Sequence, residues 1–283
     1  MENGCLIAAR LGLYLSLGLL AGLPLYRAFI VRGLAPFSRP LFSVLILTAL
    51  GFTGFGLLAS ASAMAGTPIT QPDWSAVQMM LHETDMGLAI KVRIAALLLL
   101  LVLPARPWLL LLPAMVALAT LAWNGHAAAT EGPWGQAHLV ADMLHMLAAA
   151  AWLGALASFL LAALRGRDTL KLAADLAHFA RAGSVIVALL LLTGAVNVVM
   201  IVGVAGLPAL LSANYGWILG AKLLLFAGML GLAGANRWLL TPKLERETPG
   251  ARTHLRLSLM VETTLWIGVI ALVAYLGTLD PQA

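Results

Sequence analysis

Charge is scarce in this chain. Only 10% of its 283 residues are Asp, Glu, Lys or Arg, against about 25% in average usage. With 61% of the residues hydrophobic, a soluble globular domain is excluded. Cysteine is nearly absent as well: the single Cys5 rules out an internal disulfide and any CxxC metal site. No Gly-x-x-x-x-Gly-Lys-Ser/Thr loop occurs, so ATP is not expected as an energy source. Neither Gly-x-Ser-x-Gly, His-Glu-x-x-His nor a dinucleotide-binding glycine pattern appears in a suitable context, and no soluble catalytic domain is evident, so the chain is not expected to be an enzyme. A net charge of +5 invites a nucleic-acid reading, but the cations fall in short loops between apolar runs, where topology accounts for them. The opening Met1-Glu2-Asn3 lacks a basic segment and runs straight into an apolar helix, which reads as a retained first span and not a cleaved signal.

What is abundant is apolar sequence in runs of bilayer length, about 20 residues each. These predict an all-α, polytopic membrane bundle of about eight transmembrane helices, near 5–31, 40–62, 86–104, 107–124, 137–164, 183–204, 215–239 and 256–279, forming a single transmembrane domain over 1–283. Pro104 and Pro107 flank a tight turn, and Pro24 is expected to kink the first span. Most of the 17 basic residues lie in alternate connections: Arg27, Arg32 and Arg39; Arg106; Arg165 to Arg181; and Arg237 to Arg256. The other connections, near 63–85, 125–136 and 205–214, hold no Lys or Arg and carry Asp73, Glu83, Asp85 and Glu131 instead. The positive-inside rule places the basic loops in the cytoplasm and both termini on the periplasmic side.

Within this apolar background the polar groups stand out. His138, Asp142 and His145 share one helical face of the fifth span, since offsets of 4 and 7 residues turn through about 400° and 700°. Imidazole and carboxylate bind metals and carry protons, and ionisable groups are costly inside a bilayer. His138 is expected at the outer mouth, with His145 about 10 Å deeper. Metal–nitrogen bonds near 2 Å are too short for both to hold one ion. Two overlapping sites follow, His126 with His138 at the mouth and Asp142 with His145 below. Such a ladder suits a transporter, where an ion must both enter and leave. A second candidate cluster precedes the third span: Met79, His82, Glu83 and Met86, spaced to share a helical face. Thioether sulfur suits Cu(I), and imidazole suits copper among other metals. Met143 and Met146 flank His145 as further soft donors or as packing residues.

Lys91, Arg93 and Lys222 are cations that loop topology leaves unexplained. Asp142 is the expected partner of Arg93 or Lys222, and Lys91 is expected to snorkel to the interface. Asn197 and Glu262 extend a polar path inward, with a helix–helix hydrogen bond the favoured role for Asn197.

These segments resemble the CopD/PcoD family of bacterial copper-resistance membrane proteins. The likeness is carried by NGHAAA at 124–129, HLVADMLHMLAAAAWLGAL at 138–156, YGWILGAKLLLFAGMLGLAGANRWLLTPKL at 215–244 and LGTLDP at 276–281, and it runs over nearly the whole chain. It implies a copper ion as cargo, moved across the bacterial inner membrane from periplasm to cytoplasm, and a separate CopC-like periplasmic copper protein as partner. It points to His126, His138, Asp142 and His145, then to Lys222 and Arg93. Two other readings stand beside it. One is a membrane-bound b-type cytochrome with His-ligated haem, in which His126 pairs with His138 or His145. The other is a non-transporting copper holder or sensor that works with a periplasmic partner.

Overall fold

A bilayer leaves a chain this apolar few choices, because every backbone N–H and C=O must be bonded within the protein. The computed structural model describes residues 2–30, 38–204, 206, 208 and 213–279, and for residues 2, 30, 126 and 129 the backbone alone. Among the described residues there are helices and no strands. The helices are α1 (Glu2–Leu25), α2 (Arg39–Ala65), α3 (Trp74–Glu83), α4 (Asp85–Val102), α5 (Pro107–Ala119), α6 (Gly135–Leu164), α7 (Thr169–Val202), α8 (Asn214–Ala235), α9 (Thr241–Glu245) and α10 (Ala251–Leu276). Two π-helical turns, Tyr26–Ile30 and Asn236–Leu240, and two 3-10 turns, Thr120–Asn124 and His126–Ala129, interrupt or extend them.

Among the described residues seven stretches are long and apolar enough to cross a bilayer: Asn3–Phe29, Arg39–Ala65, Pro107–Asn124, Gly135–Leu164, Thr169–Val202, Asn214–Glu245 and Ala251–Leu276. The remaining expected span is α4, an 18-residue helix of about 27 Å that carries Asp85, Lys91 and Arg93. The sixth span departs most from its expected limits. Hydropathy predicts 183–204, whereas α7 begins at Thr169 and runs for 34 residues. Asp168 caps it, accepting from the Lys171 amide at 2.9 Å, and its first turns are amphipathic, so hydropathy alone missed them. Pro24 lies inside α1 and the π-helical turn follows directly, as fits a position that cannot donate its backbone N–H.

α6 is the central helix. It packs against α1, α5, α7 and α10. Its tightest crossing is with α1, where Gly22 and Gly154 meet backbone to backbone. A Cβ on Gly154 would overlap the Gly22 carbonyl, and one on Gly22 would overlap the Ala150 carbonyl. Small residues at such crossings let helices approach closely in a membrane, where lipid supplies no hydrophobic drive for helix association. On one side of α6 lies a core of α1, α2, α4 and α5 side chains around Leu17, Leu97 and Ala114; on the other, a core of α7, α9 and α10 side chains around Leu172, Leu244 and Leu255.

Basic residues tie down one end of the bundle. Arg39 donates to the Leu101 and Leu103 carbonyls at the end of α4. Arg252 donates to the Ala163 carbonyl at the end of α6, 3.1 Å. Cations at helix C-termini complement the exposed carbonyls and the helix dipole. Arg167 and Asp175 form an ion pair at 3.0 Å. The positions of Arg32 and of Asp280 and Pro281 in the LGTLDP segment lie outside the described residues.

Candidate functional site

The fifth-span face expected to carry chemistry looks at α7. Asp142 accepts a hydrogen bond from Asn197 Nδ2 at 3.0 Å. One turn along, His145 Nδ1 meets Thr193 Oγ1 at 2.9 Å. The pairs 142/145 and 193/197 run in opposite directions along two antiparallel helices, so the sequence spacing on each matches the other. The Thr193 hydroxyl spends its one proton on the Leu189 carbonyl. Its oxygen is therefore left to accept from His145 Nδ1, and the same ring also donates to the Leu190 backbone carbonyl. Lys222, reaching from α8, is within electrostatic range of both Asp142 and His145 without forming a direct ion pair. Asn197 Oδ1 is buried with no hydrogen-bond partner among the described residues.

His138 is not an open mouth residue. It is 1% exposed, with Nδ1 at 2.7 Å from Thr130 Oγ1. The connection after the 3-10 turn His126–Ala129 folds back over the start of α6 and brings Thr130 onto the ring. The His126 side chain lies outside the described residues. Among the described residues no group of three or more His, Cys, Asp and Glu side chains converges as a metal centre would.

Arg93 does not pair with Asp142. It is 1% exposed and donates to Thr120 Oγ1 at 2.8 Å, to the Thr120 carbonyl at 3.3 Å and to Asn124 Oδ1 at 3.3 Å. The reason is local. Where α5 tightens into 3-10 geometry at Thr120, it offers carbonyl and side-chain oxygens beside α4, and these reach the guanidinium first. Arg10, which spacing arguments overlooked, joins the same node by donating to the Asn124 carbonyl at 3.4 Å. Tyr14, one turn further along α1, is within electrostatic range of Arg10, Arg93 and Asp142. The i, i+4 pairing of Arg10 and Tyr14 in an apolar span was the available signal. Lys91 is exposed, in line with an interfacial position.

The Met79–Met86 face is broken. α3 ends at Glu83, and Thr84 is extended (φ −122°, ψ 153°) before α4 starts. Thr84 caps the new helix through the Gly87 amide, 3.0 Å. His82 and Glu83 are exposed and Met79 is 44% exposed, whereas Met86 packs on Ala61, Val77 and Met80. The four side chains thus do not share one helical face, because the threonine restarts the helix between them. Met146 packs into the core beside α1, α2, α4 and α5, and Met143 is half-buried.

Two turns beyond His145 on α6 the interior changes character. Trp152 Nε1 donates to Glu262 Oε1 at 3.0 Å, and Asn236 Nδ2 donates to Glu262 Oε2 at 3.2 Å. Glu262 is 4% exposed and borders a cavity of about 370 Å³ between α6, α7, α8 and α10. Its walls are largely apolar and aromatic, with Phe159, Phe179 and Trp238 among them. Arg237 sits at its edge, donating to the Ala180 carbonyl at 3.4 Å and to Ser184 Oγ at 3.1 Å.

Comparison with known proteins places the whole chain. A family profile described as the N-terminal domain of copper resistance protein D-like proteins matches residues 1–137, and one described as copper resistance protein D matches residues 173–276. Most of α6 falls between the two. Over its full length the chain is 37% identical to copper resistance protein D of Pseudomonas syringae pv. tomato, covering 98% of that protein. It is 28% identical to inner membrane protein YebZ of Escherichia coli strain K12 over 62% of this chain and 60% of that one. No solved structure matches it.

Proposed function

The chain belongs to the copper resistance protein D family, and from that premise we propose that it carries copper across the bacterial inner membrane, from periplasm to cytoplasm. The observation that carries the reading is the α6–α7 seam. His145 is held by Thr193 and the Leu190 backbone beside the Asp142 carboxylate and Asn197 Oδ1, which has no partner among the described residues. Nitrogen and oxygen donors of this kind suit copper. A second group that holds the ring of a metal-binding histidine sets its tautomer and orientation.

Lys222 has a defined part in this reading. With no metal present its ammonium balances Asp142 across the seam. An arriving copper ion takes over that role, and Lys222 withdraws toward α8. His138, under its Thr130 cover, and His126 pass copper inward to the seam, and the exposed Met79 and His82 collect it at the periplasmic face. A separate CopC-like copper protein delivers the ion there. The topology has both termini in the periplasm and the basic loops in the cytoplasm, as the charge asymmetry requires. The protein acts as a carrier and not as an enzyme.

Copper uptake into sealed vesicles tests the proposal. Vesicles bearing the wild-type protein accumulate copper, while His145→Ala and His138→Ala lose accumulation at equal protein levels. Normal accumulation by both variants would remove the α6 stripe from the path. Copper bound without accumulation in wild-type vesicles would instead identify a holder.

A further inference from the structure

The Glu262 carboxylate is the least explained charge in the bundle. It is nearly sealed from solvent, and no cation pairs with it among the described residues. An ionised group in a membrane interior is costly unless something balances it. Its two oxygens each receive one N–H, from Trp152 and from Asn236. Asn236 is itself 6% exposed, and its Oδ1 is buried with no partner among the described residues. That leaves an acceptor on the amide that already touches the carboxyl group.

We propose that Glu262 and Asn236 form a reversible proton-binding site at the inner cavity, and that copper movement is coupled to protons through it. When Glu262 gains a proton on Oε2, the acid O–H becomes a donor. The Asn236 amide turns over, Oδ1 accepts that O–H, and the Trp152 bond to Oε1 stays in place. Loss of the proton reverses the turn. In both protonation states each Glu262 oxygen thus keeps a hydrogen-bond partner, and the Asn236 oxygen unpartnered in one state is the acceptor of the other.

The cavity lining selects a proton over copper. Among its residues there is no imidazole, thiol or thioether, and a single carboxylate with amide and hydroxyl oxygens is a poor copper site. The charged groups of the surrounding helices face elsewhere. Arg10 and Tyr14 of α1, Asp142 and His145 of α6, and Lys222 of α8 belong to the cluster two turns away along α6. Asp175, His178 and Arg181 of α7, Lys243 and Glu245 of α9, and Arg252, His254 and Arg256 of α10 are not part of the cavity wall. Among the described residues only Arg237 shares the cavity with Glu262 as a charged group, and its guanidinium is engaged by α7. A proton is the one cation that needs no further ligands here.

The coupling rests on the transport reading, whereas the proton site does not, and two measurements separate them. The first is infrared difference spectroscopy of the copper-free protein in lipid during a pH change. A carboxylic-acid C=O band should rise and fall with pH in wild type and vanish in Glu262→Gln. Glutamine preserves the fold, because its oxygen accepts from Trp152 and its amide donates to Asn236 Oδ1. In Trp152→Phe the band persists with a shifted midpoint, which provides a second check. Absence of any Glu262→Gln-sensitive band, or the same band change driven by sodium at constant pH, overturns the proton site. The second is copper uptake into proteoliposomes holding a pH-sensitive dye. Wild type should show copper-dependent pH change inside, and Glu262→Gln should take up copper without it. An equal pH change in both overturns the coupling. Failure of wild-type uptake with a titrating band intact overturns the carrier reading and the coupling together and leaves the proton site standing.

Discussion

Two polar regions lie about 10 Å apart along α6, and they are built in opposite ways. Around Asp142 and His145 the polar groups are crowded. Asn197, Thr193 and Lys222 approach from two other helices, and Tyr14 from a third. Around Glu262 one carboxylate borders a large apolar cavity and has two neutral donors. The first region offers nitrogen and oxygen donors to a metal. The second offers volume and one proton acceptor. The contrast teaches that a polar residue in a membrane helix does not define a role by its type. The carboxylates of Asp142 and Glu262 are chemically alike, and the groups packed around each set them apart.

The largest effect should come from the backbone crossing that holds both regions in register. Gly154→Leu drives a side chain into the Gly22 carbonyl, and loss of the monodisperse, detergent-extracted protein on size exclusion is the expected result. Next, His145→Ala should abolish copper binding in the α6–α7 seam while Glu262→Gln leaves it intact. Metal analysis of the purified proteins checks this, and their absorbance spectra check the haem alternative, since a Soret band is expected in neither. Thr193→Val keeps the shape of the seam but removes the oxygen that accepts from His145 Nδ1. Copper affinity should fall by about 10–100-fold, the usual scale for such supporting contacts, as measured by competition with a chelator of known affinity. Trp152→Phe removes one hydrogen bond to a buried carboxylate, worth about 1–3 kcal/mol. It should lower thermal stability with copper affinity unchanged. Arg237→Ala, at the exposed rim of the cavity, should shift stability by about 0.5 kcal/mol or less. Equal sensitivity of copper binding to changes in both regions would erase the distinction between them.

The stripe on α6 was legible because period and chemistry coincide there: residues 138, 142 and 145 share a face whatever that face meets. Asn197 was legible as a helix-bridging amide for the same reason, a lone polar group in an apolar span. The Met79–Met86 patch does not form one face because i, i+3, i+4, i+7 spacing implies a shared face only on a continuous helix, and Thr84, a competent N-cap, restarts it. Arg93 pairs otherwise than expected because a membrane-embedded carboxylate, Asp142, is not its only acceptor: the 3-10 turn at Thr120 exposes backbone and hydroxyl oxygens beside it. The amphipathic start of α7 escaped because hydropathy sees only the part that sits in lipid.

Composition and periodicity are enough to establish a multi-pass helical bundle, the segments that cross, and the faces on which imidazole and carboxylate gather, since each is a property of a single helix in an apolar solvent. Which helix each face meets is a property of pairs. Packing alone assigned Thr193 to His145, Thr120 and Asn124 to Arg93, and Trp152 and Asn236 to Glu262. A repeat of 3.6 residues orients a side chain around its own axis and carries no information about the neighbour across the gap.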